Sequence, residues 1–398
     1  MNLDQISQIK SLSKDIRSKV QAYREHLHAH PELSYEEHET MRFVSEQLTS
    51  LGIEHTTKIG GTGIVGIIRG DHHTEDMPCV GLRADLDALP IHEENDISYR
   101  SKTDGIMHAC GHDVHTSVLL GAAEIIQSMR DALPNPVKLI FQPGEEKNPG
   151  GATLMIRDGV LQNPKIKRMF ALHVFPEMEA GKVGFREGLY MASCDEIHAT
   201  IHGKGGHGAT PHQCIDPILI GAEIVTSLQQ IVSRKCDPKI PCVLSFGHFE
   251  AHGATNIIPS HAHIKGTFRT MNETWRADAL KLIEKSMNGI VESSGGSLSL
   301  EISKGYPYLE NDPETTQAMK SIAVSLLGEE NVEDLPIRLT AEDFSYYAQE
   351  VPVCFFRLGV GNSAQGIVHG VHHPKFNIDN DALEIGVQMM SSAAFTEL

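Results

Sequence analysis

The chain has 398 residues, of which 40% are hydrophobic, and it carries a formal net charge of -18. This length exceeds what one hydrophobic core usually supports, so the sequence predicts two or three packed domains and excludes a disordered chain. The acidic balance, without any extended cluster of Lys and Arg, excludes charge-driven binding to nucleic acid or to an anionic membrane surface.

The cysteines are odd in number and contain no Cys-x-x-Cys pair. That usage favours a reducing compartment over a disulfide framework, so we expect a cytoplasmic protein. Residues 1–20 place apolar side chains at helical spacing with charged residues between them, which indicates an amphipathic helix and not a signal peptide. No apolar run approaches the roughly 20 residues of a membrane-spanning helix.

Residues 1–187 show strands that alternate with helices. A first helix is expected through Leu27, and a capping box formed by Ser34 and Glu37 is expected to open a second helix that ends at Gly52. Further strands and helices are predicted at 62–69, 79–83, 113–129, 137–142, 152–157 and 169–174. This alternation predicts an α/β catalytic domain with a helix-covered mixed, largely parallel sheet.

The pattern changes between residues 188 and 305. Six elements follow in the order βαββαβ, at 193–202, 216–235, 242–249, 261–269, 272–292 and 297–303. This order is the ferredoxin-like split unit, and its length suits an inserted α+β domain. The first pattern then resumes with a helix at 313–327, a strand at 353–358 and a helix at 381–395. Residues 306–398 are therefore expected to complete the domain that residues 1–187 begin.

The stretch from His108 to Thr116 holds a thiol, three imidazoles and a carboxylate. All of these groups bind metals once the thiol is ionised. Cys110 and His112 alone are weak evidence, because a lone buried cysteine is more often a small core residue.

Other candidate ligands are expected near the same place. Asp85 and Asp87 follow one predicted strand, Glu145 and Glu146 follow another, and His173 ends a third. Open α/β sheets bind ligands beyond the carboxyl ends of their strands, so these groups are expected to converge with the Cys110 loop. His372, in the C-terminal segment, is a further candidate.

Five motifs in chain order resemble those of a known family. They are His108-Ala-Cys110-Gly-His112-Asp-x-His-Thr116, Gln142-Pro-x-Glu145-Glu146, His173-Val-x-Pro176, Gly205-Gly206-His207 and His372-x-Pro-x-Phe376. In this combination the sequence resembles the aminoacylase-type metallopeptidases. It is most similar to the branch that holds hippurate hydrolase and the amidohydrolases of indole-acetyl-amino acids. The resemblance covers nearly the whole chain.

The resemblance implies two divalent metal ions per subunit, in a catalytic domain interrupted by a lid or dimerisation domain. The implied ligands are Cys110 as a bridging thiolate, Glu146 and His372 on one ion, and His112 and His173 on the other. Zinc is the first expectation, with manganese, nickel or cobalt as alternatives.

This chain has Asp85-Leu86-Asp87 where the wider superfamily has a His-x-Asp pair. The departure matches the amidohydrolase branch, but it argues against a direct metal role for the two aspartates. Asp87 is instead predicted to support a ligand from outside the metal's own contacts. His108, Asp113 and His115 are likewise expected to be supports or helix caps.

Other positions are implied to act on the substrate. Glu145 is the predicted proton shuttle between water and the departing nitrogen. His207 is predicted to stabilise the oxyanion in the partner subunit's site, which implies a homodimer or higher homo-oligomer. Asn256 and Arg269 match positions that hold a substrate carboxylate. Glu342-Asp343-Phe344 matches a further motif, to which no role is assigned.

The sequence therefore predicts a metal-dependent amidohydrolase that cleaves an N-acyl-amino acid, or a similar short peptide, to a carboxylic acid and a free amino acid. A dipeptidase or carboxypeptidase with the same site is the closest alternative. A noncatalytic metal-binding or ligand-binding protein is disfavoured, because such a protein needs no base such as Glu145 beside its ligands. An enzyme that uses Cys110 as a nucleophile would keep its activity after chelation.

Overall fold

The chain folds into two compact units, and the computed structural model describes all of residues 1–398. The first unit comprises Met1–Gly188, Glu310–Pro336 and Asp343–Leu398. The second comprises Leu189–Leu309 and Ile337–Glu342. None of the helices combines the length and the apolar content that crossing a membrane would require.

The helices and strands are numbered in chain order. The helices are α1 (Leu3–Ala29), α2 (His38–Ser50), α3 (His112–Ser128), α4 (Gly151–Arg157), α5 (Pro217–Ser227), α6 (Glu273–Ser293), α7 (Pro313–Leu327), α8 (Ser345–Ala348) and α9 (Asp381–Ala393). The strands are β1 (Glu54–Ile59), β2 (Gly63–Ile68), β3 (Cys79–Asp85), β4 (Val137–Gln142), β5 (Ile166–Glu179), β6 (Val183–Phe185), β7 (Gly188–Met191), β8 (Asp195–His202), β9 (Gly206–His207), β10 (Cys242–Glu250), β11 (Ile257–Ile258), β12 (His261–Thr270), β13 (Ser297–Lys304), β14 (Leu309–Asn311), β15 (Val332–Asp334) and β16 (Val353–Gly361).

The first unit is built on an eight-stranded sheet in the order β1-β2-β4-β3-β5-β16-β6-β15. The central neighbours β4, β3, β5 and β16 run parallel, as do β6 and β15, and the remaining pairs are antiparallel. Strands β3, β4 and β16 are buried along their whole length, because side chains on both faces of a helix-covered sheet are shielded from water. The predicted helix-covered mixed, largely parallel sheet is confirmed.

The second unit contains a four-stranded antiparallel sheet in the order β10-β12-β8-β13. Helices α5 and α6 contribute Ile220, Ile224 and Ile283 to a core shared with Ile197 and Ile201 of β8. Along the chain the order is β8, α5, β10, β12, α6 and β13, so the predicted ferredoxin-like βαββαβ arrangement is confirmed.

The predicted capping box at the start of α2 is wrong. The hydroxyl of Ser34 donates to Asp87 Oδ2 at 2.7 Å and does not cap the helix. The carboxylate of Glu32 instead accepts hydrogen bonds from the backbone N–H groups of Glu39 and Thr40, at 3.1 and 2.8 Å. A carboxylate can accept hydrogen bonds from the free N–H groups of a helix N-terminus wherever it lies in the chain. The spacing of Ser34 and Glu37 therefore predicted the wrong capping residue.

Several element ends also differ from prediction. His173 does not end its strand, because β5 continues to Glu179. The predicted helix at 216–235 is α-helical only over Pro217–Ser227, and Ile231–Lys235 forms a separate π-helical turn. Asp85 is the last residue of β3 and does not follow it as predicted, whereas Glu145 and Glu146 follow the end of β4 as predicted.

Candidate metal centre

Five side chains of the first unit bring their metal-binding atoms together. Cys110, His112 and His173 form one group, and Cys110, Glu146 and His372 form another; within each group the donor atoms lie within 4.8 Å of one another. Cys110 Sγ lies 3.4 Å from His173 Nε2, and Glu146 Oε1 lies 3.1 Å from His372 Nε2. All five predicted ligands therefore lie close together. Cys110 belongs to both groups, as a bridging thiolate would require. Their roles as metal ligands stay a prediction.

The loop that carries Cys110 and His112 turns at Gly111. This residue has φ +87°, and a Cβ atom there would lie 2.6 Å from Cγ2 of Val174. A side chain would therefore be strained by the left-handed backbone and would also collide with β5. Glycine lets the loop approach β5, which places Cys110 and His112 beside His173.

The loop after β4 places Glu145 and Glu146. Gly144 has φ +58°, a Cβ atom there would lie 2.3 Å from the Tyr35 ring, and its backbone N–H donates to Glu37 Oε1 at 2.8 Å. Glu145 is buried, and its carboxylate, that of Glu146 and the His112 imidazole form a further group with donor atoms within 4.8 Å. The predicted base therefore lies among the predicted ligands.

His372 reaches this centre from the C-terminal loop. Its backbone N–H donates to the carbonyl of Ala109 at 2.7 Å, and its φ is 65°. Residues other than glycine rarely adopt this conformation, and such positions cluster at functional sites. The side chain is 52% exposed, whereas that of Glu146 is 14% exposed and Cys110 is buried, so His372 lies on the solvent side of the centre.

Hydrogen bonds orient both buried imidazoles. Nδ1 of His112 donates to the backbone carbonyl of Asp87 at 2.9 Å and to its Oδ1 at 3.1 Å. Nδ1 of His173 donates to the carbonyl of Val174 at 2.7 Å. In each ring Nε2 is left to face the donor group, and Nε2 of His112 is buried with no hydrogen-bond partner. Metal-binding histidines are held in this way.

The centre favours a positive charge. Burial raises the pKa of the Cys110 thiol, and the carboxylates of Glu146 and Glu145 raise it further, well above its ordinary value. Burial by itself lowers the pKa of His112, but Asp85 and Asp87 outweigh it and raise the pKa to about 10. Both shifts favour an added cation, and a bound metal ionises a coordinated thiol outright. Thiol, imidazole and carboxylate together therefore fit divalent metal ions.

The raised pKa of the Cys110 thiol argues against Cys110 as a free nucleophile. A nucleophilic cysteine needs a lowered pKa, which nearby cations or a helix N-terminus provide. Here burial and the neighbouring carboxylates act in the opposite direction.

Two of the predicted supporting residues, Asp87 and Asp113, make hydrogen bonds that tie the centre to the protein. Asp87 Oδ2 accepts from the Ser34 hydroxyl at 2.7 Å and from the backbone N–H of Glu146 at 3.0 Å. Asp113 Oδ2 accepts from Arg24 and from His28. His108 has no hydrogen bond to either ring nitrogen and belongs to neither group of predicted ligands.

Although Asp85, His112 and His115 have donor atoms close enough to hold a metal, His115 has no free nitrogen for one. Its Nδ1 donates to Asp85 Oδ1 at 2.6 Å, and its Nε2 accepts the backbone N–H of Val174 at 2.9 Å. Burial lowers the pKa of His115, in keeping with this neutral form.

The other predicted site residues, His207, Asn256 and Arg269, lie in the second unit. His207 on β9 pairs with Ile257 on β11, and the backbone N–H of Gly208 donates to the carbonyl of Asn256 at 2.9 Å. His207 and Asn256 are therefore neighbours. Arg269 lies on β12, and its guanidinium donates to the carbonyl of Leu339 at 2.9 Å.

Sequence reasoning missed Arg83 and assigned no role to Asp343. Both are fully buried, and the Arg83 guanidinium donates to Asp343 Oδ1 at 2.9 Å. One signal was available for Arg83: a charged residue in an otherwise apolar strand is rarely buried unless it is paired.

A buried carboxylate lies beside a cluster of thiol, imidazole and carboxylate groups in the α/β unit, an arrangement that suits metal-assisted hydrolysis. The chain belongs to the peptidase family M20/M25/M40, whose model matches residues 81–396. The sequence-based recognition of this family is confirmed, and the protein is a hydrolase that acts on amide or peptide bonds.

Individual relatives include both amidohydrolases and peptidases. The chain is 43% identical over 310 residues to the N-acyl-L-amino acid amidohydrolase of Geobacillus stearothermophilus, covering 77% of this chain and 82% of that one. It is 37% identical to thermostable carboxypeptidase 2 of Saccharolobus solfataricus, covering 96% of each. The crystal structure of YXEP from Bacillus subtilis, a dinuclear metal-binding peptidase of the M20 family, has a TM-score of 0.80 and 31% identity, covering 96% of this chain and 98% of that one.

Proposed function

We propose that this protein is a metal-dependent amidohydrolase that cleaves N-acyl-amino acids to a carboxylate and a free amino acid. The observation that carries the proposal is the position of Glu145, a buried carboxylate within 4.8 Å of the donor atoms of His112 and Glu146. The identity of 43% to an N-acyl-L-amino acid amidohydrolase supports the substrate class.

The proposed cofactor is a pair of divalent metal ions held by Cys110, His112, Glu146, His173 and His372. Cys110 belongs to both donor groups, which supports a bridging role for its thiolate. The dinuclear metal-binding relative from Bacillus subtilis supports two ions. Thiolate and imidazole ligands favour zinc, and manganese, nickel and cobalt also bind mixed sets of nitrogen, oxygen and sulfur.

The amide substrate resists hydrolysis because water is a poor nucleophile and an amine is a poor leaving group. When bound, metal ions at this centre would polarise the carbonyl and lower the pKa of water. Glu145 takes the proton of the attacking water and passes it to the departing nitrogen. The backbone N–H of Asp343, 3.4 Å from Glu145 Oε1, helps to hold this carboxylate in place.

The second unit is proposed to supply substrate contacts. By resemblance, His207 of one subunit donates to the developing oxyanion in the partner's site of a homodimer. Arg269 has the planar fork of donors that binds a carboxylate in two places, and Asn256 adds a further polar contact. Asn256 and Arg269 would thus hold the amino-acid end of the substrate, while His207 would act at its carbonyl.

A carboxypeptidase activity is the second candidate. The identity of 37% to a thermostable carboxypeptidase, over 96% of both chains, favours it. Both reactions cleave an amide next to a carboxylate-bearing residue, so the same metal centre and base serve either one.

A substrate panel tests the proposal. Metal-reconstituted protein is assayed for release of free amino acid from N-acetyl-amino acids, N-benzoyl-amino acids and dipeptides. The proposal predicts higher kcat/KM for the N-acyl substrates, loss of activity with chelator and recovery with divalent metal. A preference for peptides would favour the carboxypeptidase, and activity that survives chelation would contradict the metal mechanism.

A further inference from the structure

Asp343 is a buried acceptor for several groups of the first unit. Its Oδ1 accepts from the Arg83 guanidinium at 2.9 Å, and both of its oxygens lie 2.8 Å from Gln142 Nε2. Its Oδ2 also accepts the backbone N–H of Ala152 at 3.0 Å. Its own backbone N–H donates to Glu145 Oε1 at 3.4 Å. Asp343 therefore contacts both the proposed base and the end of the strand that precedes it.

Arg83 extends these hydrogen bonds across the sheet. Its Nε donates to Gln142 Oε1 at 3.1 Å, and a terminal nitrogen donates to Asp85 Oδ2 at 2.6 Å. Asp85 accepts from His115, which accepts the backbone N–H of Val174. A continuous line of buried hydrogen bonds thus leads from Glu145 to the residue that follows His173.

We propose that Asp343 is a positioning residue for Glu145, and that it acts together with Arg83 and Gln142. The inference rests on the proposed function, in which Glu145 is the base. Gln142 is the last residue of β4, so fixing its side chain fixes where the loop to Glu145 begins. The backbone N–H of Asp343 then orients the carboxylate itself.

The physical requirement is geometric. A proton shuttle must stay within hydrogen-bond reach of water and leaving group, and a displacement of about 1 Å can cost about 100-fold in rate. A buried ion pair adds little net stability, but removing one partner leaves an unpaired buried charge, which is strongly destabilising. Arg83 and Asp343 therefore hold a single arrangement of Gln142 and Glu145.

The test uses Asp343→Asn, which replaces one acceptor oxygen with an NH2 group facing N–H donors. We expect kcat to fall about 100-fold with KM unchanged. We also expect metal content and the absorption spectrum of the cobalt-substituted protein to match the wild type. In an E145Q background, the same substitution should cause no further loss of the residual rate. Arg83→Lys keeps the charge but loses the fork, and should behave in the same way.

Asp195→Asn is the matched control. Asp195 is a buried partner of Arg276 in the second unit, with nitrogen–oxygen distances of 2.8 and 2.6 Å. The Asp195–Arg276 pair is a buried ion pair of the same two residue types as the Arg83–Asp343 pair, but no contact between it and Glu145 is proposed. We expect kcat of the folded Asp195→Asn protein to equal that of the wild type.

Three results would overturn the inference. They are an unchanged kcat in Asp343→Asn, a fall in kcat proportional to lost metal, and an equal further loss in the E145Q background. If the Asp343→Asn protein does not fold, the same measurements on Arg83→Lys test the inference. If the wild type cleaves only dipeptides, the proposed substrate class fails and the test runs on a dipeptide. If E145Q keeps the wild-type rate, the base assignment itself is wrong.

Discussion

Asp87 Oδ1 accepts a hydrogen bond from Nδ1 of His112 at 3.1 Å, which leaves Nε2 of the ring to face Cys110 and Glu146. The other oxygen of Asp87 accepts the backbone N–H of Glu146 at 3.0 Å. One buried carboxylate therefore orients two of the proposed metal ligands, one from each donor group.

Asp87→Asn should weaken metal binding by about 10- to 100-fold, because the amide no longer fixes the ring tautomer and the loop together. Titration of the metal-free protein with zinc or cobalt measures this. Asp104→Asn is the control, since Asp104 lies 2.8 Å from the exposed His92 outside the centre. Equal metal affinities for Asp87→Asn and the wild type would contradict this supporting role.

Gly111→Ala should lower both stability and metal binding. The left-handed backbone costs about 1–2 kcal/mol, and the new Cβ would also collide with Val174. Gly105→Ala is the matched control, because Gly105 has φ +76° but open space around it. Urea unfolding should show a larger loss for Gly111→Ala, and only this variant should bind metal more weakly. Equal effects of both substitutions would contradict the proposed contact between loop and strand.

His28 predicts a pH dependence of stability. Its Nδ1 lies 2.9 Å from Asp113 Oδ2 and its Nε2 lies 3.1 Å from Glu93 Oε1. Burial by itself lowers the pKa of His28, but hydrogen bonds to these two carboxylates outweigh it and raise the pKa. Arg24 and His108 also face the ring, and both oppose its positive charge.

Because the folded pKa is raised, the stability that His28 contributes is fully present below its unfolded pKa of about 6.5. It is lost as the pH rises through the folded value. The difference in free energy of unfolding between metal-loaded wild type and His28→Gln should therefore shrink from about pH 6 to about pH 9. Urea unfolding of both proteins at the two pH values measures this difference in free energy. A difference that stays constant or grows with pH would contradict a charged His28.

A mixing experiment tests whether His207 acts in the partner's site. His207→Ala and E145Q homodimers should each be nearly inactive. Subunits exchanged at equal amounts should recover up to about a quarter of wild-type activity, since half of the dimers are mixed and each has one complete site. If mixing restores nothing although exchange is verified, His207 does not act across subunits.

Local motifs predicted much of this molecule. The loop from His108 to Thr116 was identifiable as dense in metal-binding groups, whereas the roles of Cys110, His112, Glu145 and Glu146 came from the resemblance to the family and stay predictions. The alternation of strands and helices predicted the main sheet because the apolar patterns are local. Cytoplasmic location and the homodimer stay predictions.

Contacts between distant parts of the chain were not predictable. Ser34 binds Asp87 instead of capping α2, and Asp343 contacts Arg83 from a segment far along the chain. Nothing in the neighbouring residues encodes these partners. The end of β5 was also misplaced, because its apolar run stops before the strand does.

The rate of amino acid release by metal-loaded E145Q, compared with the wild type, tests the central claim most directly. The substrate is the N-acyl-amino acid that the wild type cleaves best. We predict unchanged metal content and substrate binding, with kcat lower by about 100- to 10,000-fold, because only proton transfer is removed. A fully metal-loaded E145Q that turns over near the wild-type rate would contradict the assignment of Glu145 as the base.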